Sequence, residues 1–470
     1  EIGSGLVGSE MCIRDRASIP QNKIEKSSFK IITQFCALAH LPALVRLLND
    51  HRHSNVSLTA ILIWLLKVIF QRRTLYRAEA PGMCTKRTVY NILNDGRINW
   101  QRLSCLLAQR VITGLAQWLD ARKSGALIID DTLISRLNAK QTELLANTFD
   151  HDRQRYLKGY RGLTLAWSNG QLVLPVTTAV LSSQKARNRV GTPAKTLDQR
   201  TLAGQRRAQA MRPMPAVALE LIKQARANGL KAKYVLFDSW FTSPKMFAAL
   251  NDQKLIGIGM LKRTKKIYYR YRGRQYTVKT LYQYLRQSHR QPRADYLYSC
   301  VVQAATAKLP LRLVFVAKRH RANDYLVLAT TKTNLTPAAI IQLYSRRWQI
   351  ENYFKAAKQY LRLDQTQIQD YDGLCAHMAV TMMTYDLLAW QQRRQPGDPT
   401  IGDIFYQLDT LLPIIDLATA IGQLLGELTN LKVTKSAAKM TAQIKTLIDQ
   451  FLNGLSIQTS ALITLSMSNS

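Results

Sequence analysis

Acidic residues are scarce in this 470-residue chain, which contains 30 Asp and Glu against 66 Lys and Arg. The net charge is therefore +36, and the isoelectric point is near 10.2. No soluble fold requires so large an excess of positive charge, so the composition predicts a polyanionic partner. Nucleic acid is the first candidate and an anionic membrane surface is the second.

Long hydrophobic runs are also missing. The longest one, Ala60 to Leu66, ends at Lys67 and is far too short to span a bilayer, so we expect no membrane-spanning segment. Hydrophobic residues nevertheless make up 47% of the chain, which is typical of a folded protein with a substantial core. The chain is long enough for two to four domains.

Cysteine is sparse and its spacing is irregular. The six cysteines stand at positions 12, 36, 84, 105, 300 and 375. None is close to another, which argues against a structural zinc site or a disulfide framework and indicates a reducing cytosol. Residues 1–16, EIGSGLVGSEMCIRDR, have no initial Met and no apolar run, and they fit no targeting pattern. We interpret them as a non-native leader and exclude them from the fold.

The first hundred residues predict an α-helical domain, which we place at residues 17–120. Phe29 to Leu48 and Leu58 to Phe70 have the strongest helical spacing. Thr85 to Arg97, TKRTVYNILNDGR, predicts a short helix with Val89, Ile92 and Leu93 facing inward. It is compatible both with the second helix of a helix-turn-helix motif and with an ordinary short helix that has a basic end.

Beyond Ala121 the pattern predicts an α/β domain. Ser124 to Asp131 and Tyr234 to Asp238 are short runs with the length and apolar composition of buried strands. Each run ends in an acid. Tyr160 to Leu181 predicts a hairpin around Ser168, Asn169 and Gly170. Helices are predicted for 215–228 and 243–251, and an exposed basic loop for 182–212. Strands that alternate with helices indicate a sheet covered on both faces, with reactive groups at the strand ends.

Residues 256–321 differ from their neighbours, because they contain 16 Lys or Arg and a single acid, Asp295, with tyrosines interleaved. Alternating residues predict antiparallel strands, and we interpret the segment as a basic β-rich insert. Tyrosines beside arginines favour stacking on bases and binding of phosphates, although they are equally compatible with the strands of a basic protein.

Residues Thr336 to Asp364 predict one capped helix that carries a row of ionisable residues. Thr336 suits the cap position and Pro337 the first turn. At 100° per residue, four polar side chains fall on one face beside an apolar stripe: Tyr344, Arg347, Glu351 and Lys358. A carboxylate between two cations suits a metal and phosphate site. An amphipathic surface helix would show the same spacing.

Two further acids make the metal site the better interpretation. Asp131 and Asp238 end predicted strands, and a compact core could bring them to Glu351. Three oxygen ligands without His or Cys favour Mg²⁺ or Mn²⁺ over zinc, and two such ions support phosphodiester chemistry. Alone, each Asp would be interpreted as a cap or turn residue. Asp130 adjoins Asp131, and in a strand only one of the two can face the metals.

The spacing Tyr344, Arg347, Glu351, Lys358, together with the words YSRRWQIENYFKAAK, IIDDT and LFDSWF, resembles the Y-R-E-K signature of bacterial insertion-sequence transposases of the DDE type. The resemblance implies an RNase H-like catalytic domain over residues 121–375, with the β-rich insert at 256–321. It also implies a helical DNA-end-binding domain before it and a helical region, 376–470, after it.

By the same resemblance, Asp131, Asp238 and Glu351 are the catalytic triad and bind two Mg²⁺ or Mn²⁺ ions. The acid before Thr132 aligns with the first ligand, whereas relatives that read Asp-Gly-Thr would select Asp130. Tyr344, Arg347 and Lys358 are implied to hold phosphates near the cleaved end, and Trp348 to lie near a flipped base.

The predicted function is that of a DNA transposase, which cuts double-stranded DNA at transposon ends and joins the 3′ ends to target DNA. It is expected to be a homodimer in the bacterial cytoplasm, associated with the nucleoid. Two alternatives stay open. Another RNase H-like nuclease or resolvase would cut without joining, and an inactive derivative would bind DNA without a metal requirement.

Overall fold

A computed structural model describes residues 28–48, 55–78, 80–150, 153–288, 296–306, 308–317, 324–409, 421 and 446–450. The leader therefore lies outside the described residues, as does most of the predicted helical region beyond residue 409. The chain divides into two compact units. One is Phe35–Tyr406, and the other combines Glu1–Gln34 with Gln407–Ser470. The site lies within the first unit.

Among the described residues before the sheet, the α-helices are α1 (Ser28–Leu38), α2 (Leu41–Arg46), α3 (Leu58–Phe70), α4 (Lys86–Leu93) and α5 (Trp100–Gly114). The prediction for α3 is confirmed. The single helix predicted over 29–48 is wrong, because the chain breaks at His40, which is in the left-handed region at φ 47°. Pro42 follows in the first turn of α2, where its ring fits without loss of a hydrogen bond.

The short helix α4 is capped by Thr85, whose side chain accepts a hydrogen bond from the Thr88 backbone N–H. Val89, Ile92 and Leu93 are buried, as their spacing predicts. The helix α4 contacts a long helix from the far end of the unit, α12 (Tyr371–Arg394). Its role as a helix-turn-helix element stays a prediction.

In the described part of the chain, eleven strands form one mixed sheet. They are β1 (Ala126–Ser135), β2 (Ala146–Asp150), β3 (Arg155–Ser168), β4 (Val173–Leu181), β5 (Tyr234–Phe237), β6 (Ile256–Met260), β7 (Tyr269–Tyr271), β8 (Arg274–Tyr276), β9 (Tyr298–Ala304), β10 (Pro310–Ala317) and β11 (Tyr325–Thr330). The order is β2-β3-β1-β5-β6-β11-β10-β9-β7-β8, and β4 also pairs with β3. β5 runs parallel to both β1 and β6, while the other described pairs are antiparallel.

Helices flank this sheet: α6 (Leu202–Ala210), α7 (Met214–Ala227), α8 (Pro244–Asp252), α9 (Val278–Gln287), α10 (Pro337–Ser345), α11 (Gln349–Gln359) and α12. The predicted helices over α7 and α8 are confirmed. The architecture is α/β, with a large mixed sheet covered by helices, and it is consistent with an RNase H-like fold. Among the described helices, none combines the length and apolarity needed to cross a bilayer.

The prediction of an exposed loop over 182–212 is wrong in its second half, because that part of the chain contains α6. Two of its arginines, Arg206 and Arg207, are buried rather than exposed. They pair with Asp372 and Glu143, which are themselves buried. Long-range pairing of this kind leaves no periodicity for a sequence to reveal.

The described part of residues 256–321 continues the same sheet. β6 pairs with β5, and the next strands across the sheet are β11, β10 and β9. The segment also contains a helix, α9, which was not predicted. Several of its tyrosines belong to the core: Tyr269 and Tyr298 are buried, and Tyr282 stacks on Tyr325 at 3.9 Å between ring centroids. Those side chains stabilise the sheet, while Tyr268 is exposed.

Candidate active site

Strand register brings two aspartates side by side. Ile129 on β1 pairs with Phe237 on the parallel strand β5, so the next residues, Asp130 and Asp238, occupy equivalent positions. β5 ends at Phe237, whereas β1 continues to Ser135 because β3 supports its other edge. Neighbouring parallel strands are about 4.8 Å apart, and equivalent residues face the same side. Asp130 and Asp238 therefore lie together at this edge.

Asp131 faces the opposite side of β1. Its carboxylate accepts a hydrogen bond from Arg161 Nη1 at 2.9 Å. Arg161 lies on β3 opposite Leu133, two residues from Asp131 and on the same face. The structure thus places Asp131, the residue favoured by the sequence, with Arg161. It places Asp130 with Asp238.

The predicted central helix consists of two helices. Thr336 caps α10 by accepting from the Ala339 N–H, and Pro337 begins it, as predicted. At Arg346–Trp348 the chain tightens into a 3-10 turn before α11 begins. The prediction of one continuous helix is therefore wrong at this turn.

Contacts on both sides of the turn explain the tightening. Arg346 Nη1 donates to the Ser124 carbonyl oxygen at 2.8 Å, just before β1. Gln349 Nε2 donates to the Gly170 carbonyl oxygen at 3.0 Å, and the Ser168 hydroxyl donates to the Gln349 side chain. The β3–β4 hairpin turn therefore holds the start of α11, and with it Glu351.

Arg347 joins two of the acids. Its Nη1 donates to Asp130 Oδ2 at 2.9 Å, and its Nη2 donates to Glu351 Oε1 at 2.8 Å. The Arg347 side chain is 10% exposed, whereas that of Glu351 is 39% exposed. One guanidinium thus bridges a strand carboxylate and a helix carboxylate that are 221 positions apart in the chain, at 130 and 351.

The other predicted residues of the helix differ in exposure. Tyr344 is buried, and burial raises the pKa of its phenol, with a further increase from Asp238 and a decrease from Arg347. Trp348 is 60% exposed, and the Arg347 guanidinium lies 4.9 Å from its ring centroid. Lys358 lines the same cleft as Asp130 and Asp238.

That cleft has a volume of about 1000 Å³ and is lined by five aspartates: Asp130, Asp131, Asp150, Asp238 and Asp364. Trp240 lines it too, is 52% exposed, and lies 4.4 Å from the Lys262 ammonium. Sequence reasoning missed both Trp240 and Arg161 as cleft residues. In LFDSWF a tryptophan stands two residues after the acid, and this spacing is the signal that could have indicated Trp240.

Burial is the largest cause of the shifted titration of Asp130. The pKa of its carboxyl is raised from 3.8 to about 7, with lesser increases from the neighbouring Asp131 and Asp238. Arg347 and the backbone N–H of Asp131 act in the opposite direction. Burial disfavours the charged form, so additional positive charge in the cleft would favour ionised Asp130.

The acids match magnesium in chemistry, because all of them offer hard oxygen donors. Their arrangement does not match it, since among the described residues no three acid, His or Cys side chains are grouped to hold a metal ion. The Arg347 guanidinium takes the position between Asp130 and Glu351 instead. In this arrangement the acids do not form a metal site.

A family model described as "DDE superfamily endonuclease" matches residues 44–321, more than half of the chain. The chain belongs to this superfamily of endonucleases. The matched range includes Asp130, Asp131 and Asp238 and ends before Arg347 and Glu351. A search of curated proteins finds no match.

Proposed function

We propose that this chain is a DNA transposase of a bacterial insertion sequence, which cuts at transposon ends and joins the freed 3′ ends to target DNA. Membership of the DDE superfamily of endonucleases supports a metal-dependent nuclease or transposase type of enzyme. The joining step, the bacterial origin and the homodimer that bridges two ends are our own inference from the Y-R-E-K spacing.

One observation carries the proposal. Asp130 and Asp238 are neighbours by strand register, and Glu351 shares a guanidinium with Asp130. Strand register and one shared guanidinium thereby link three acids from distant parts of a DDE chain. The contacts favour Asp130 as the first member of the triad, with Asp131 as the alternative.

We propose that Asp130, Asp238 and Glu351 bind two divalent ions, Mg²⁺ or Mn²⁺, after a rearrangement of Arg347. The ions would supply an activated oxygen nucleophile and stabilise the leaving oxygen. The chain itself would position the DNA. Lys358 would contact a phosphate from the cleft wall, and the exposed ring of Trp348 would stack on a base displaced from the duplex.

Replacing Glu351 with Gln tests whether this residue belongs to the proposed catalytic triad. E351Q keeps the size of the side chain and removes its charge, so we expect loss of Mg²⁺-dependent nicking of transposon-end DNA, by about 100-fold or more, with DNA binding largely retained. The matched control is E220Q, since Glu220 on α7 is a half-exposed partner of Arg212. E220Q should nick normally. Full Mg²⁺-dependent nicking by E351Q would reject the proposed triad.

The joining step needs its own assay. With a pre-cleaved transposon end and a target plasmid, a transposase converts the plasmid into a strand-transfer product. Cutting of intact ends without joining would identify a nuclease or resolvase instead. Tight DNA binding with no metal-dependent cutting of any substrate would identify an inactive, DNA-binding derivative.

A further inference from the structure

Arg347 occupies the position that a cation shared by Asp130 and Glu351 would take. Its two terminal nitrogens donate separately to the two carboxylates, at 2.9 and 2.8 Å. A guanidinium stays protonated at any pH that the fold tolerates, so it always carries the compensating charge. Partly buried carboxylates without such a partner would be costly.

The side chain of Arg347 can change this arrangement without a movement of the backbone. The backbone is held on both sides, by Arg346 at the Ser124 carbonyl and by Gln349 at the Gly170 carbonyl. The Arg347 side chain has several rotatable bonds, and exposed Trp348 offers its ring face beside it. A swing of the guanidinium out of the acids therefore needs no movement of α11.

We propose that Arg347 is a placeholder cation, which neutralises Asp130 and Glu351 until a divalent ion binds and then transfers its two hydrogen bonds to a DNA phosphate. This inference rests on the proposed function. An incoming divalent ion repels the guanidinium, while a phosphate offers it the same bidentate pairing that the two carboxylates provide. Metal and DNA should therefore each strengthen the binding of the other.

The coupling is measurable without catalysis. Binding of a labelled DNA duplex is compared in Ca²⁺ and in EDTA, and binding of Mn²⁺ is measured by its paramagnetic resonance with and without DNA. For the wild-type protein we expect each ligand to raise the affinity for the other by about tenfold, a typical coupling. In R347Q both factors should fall to nearly one.

A second expectation separates a placeholder from a purely structural arginine. Without DNA, Mn²⁺ must displace Arg347 from the acids in the wild type but not in R347Q. R347Q should therefore bind Mn²⁺ more tightly than the wild type, whereas loss of a merely structural residue would weaken binding. R347K retains the charge and can satisfy only one of the acids well, so it should lie between the two.

The matched control is R161Q, which removes the same charge but contacts Asp131 rather than Asp130 and Glu351. It should keep the coupling between metal and DNA. A thermal melt with Ca²⁺ verifies folding, because Ca²⁺ should raise the melting temperature of R347Q more than that of the wild type. Equal coupling in the wild type and R347Q would overturn the inference while leaving the proposed function standing. Failure of the wild type to bind DNA or metal would overturn both.

Discussion

At the scale of the residue, one step along β1 decides which face of the sheet an acid occupies. Asp130 and Asp131 are adjacent, and alternation sends one to Asp238 and the other to Arg161. A sequence pattern assigns two acids to the end of a strand without stating which of them faces the neighbouring strand. The pairing of Ile129 with Phe237 supplies that information.

Paired substitutions test this assignment. D130N should lower metal-dependent nicking by about 100-fold or more, because it removes a charge beside Asp238 and Glu351. D131N breaks only the pair with Arg161 and should change the rate by less than about tenfold. Single-turnover nicking of end DNA in Mg²⁺ gives both rates. A greater loss in D131N than in D130N would restore Asp131 as the first ligand.

At the scale of the element, α6 shows how buried charge joins distant segments. Arg207 on α6 pairs with Glu143 at 2.6 Å and with Asp372, at the start of α12, at 2.8 Å. Arg206 pairs with Asp372 and also donates to the Ile98 carbonyl at 2.7 Å. This network connects the segment between β1 and β2, the two helices α6 and α12, and Ile98, two residues before α5.

Removal of one charge from this buried network should lower the stability of the fold. E143Q keeps the shape of the side chain but leaves Arg207 with one carboxylate, so we expect the free energy of unfolding to fall by about 3 kcal/mol. Urea denaturation followed by circular dichroism measures the change. D198N is the control, because Asp198 forms a surface pair with Arg200 and should leave the denaturation midpoint close to that of wild type. Equal midpoints for E143Q and the wild type would exclude a stabilising role for the network.

Elements with a strong local pattern were predicted correctly from the sequence. The apolar period of α3, the turn residues between β3 and β4, and the cap at Thr336 each depend on neighbours in the chain. The 3-10 turn at Arg346–Trp348 was not predictable, because Ser124 and Gly170 hold it from far away in sequence. The same reason applies to α6. Its arginines predicted an exposed segment, because the buried carboxylates that pair with them are far away in the sequence.

At the scale of the whole molecule, the net charge of +36 should govern the affinity for DNA. If about 6–10 phosphates are contacted, the binding constant should fall by about 10³–10⁵ between 50 and 200 mM salt, because condensed counterions are released. Fluorescence anisotropy of a labelled duplex over a salt series gives the slope. An affinity that is nearly independent of salt would remove the electrostatic argument for a nucleic-acid partner.

The sequence by itself determined the α/β class, the excess of positive charge and the three short stretches in which the acids occur, because composition and local periodicity are properties of neighbouring residues. Only the tertiary structure decided that Asp130 rather than Asp131 adjoins Asp238 and that Arg347 lies between the acids. It also decided that residues 256–321 extend the central sheet. Each of these depends on strand register or on contacts between segments far apart in the chain, which no local pattern encodes.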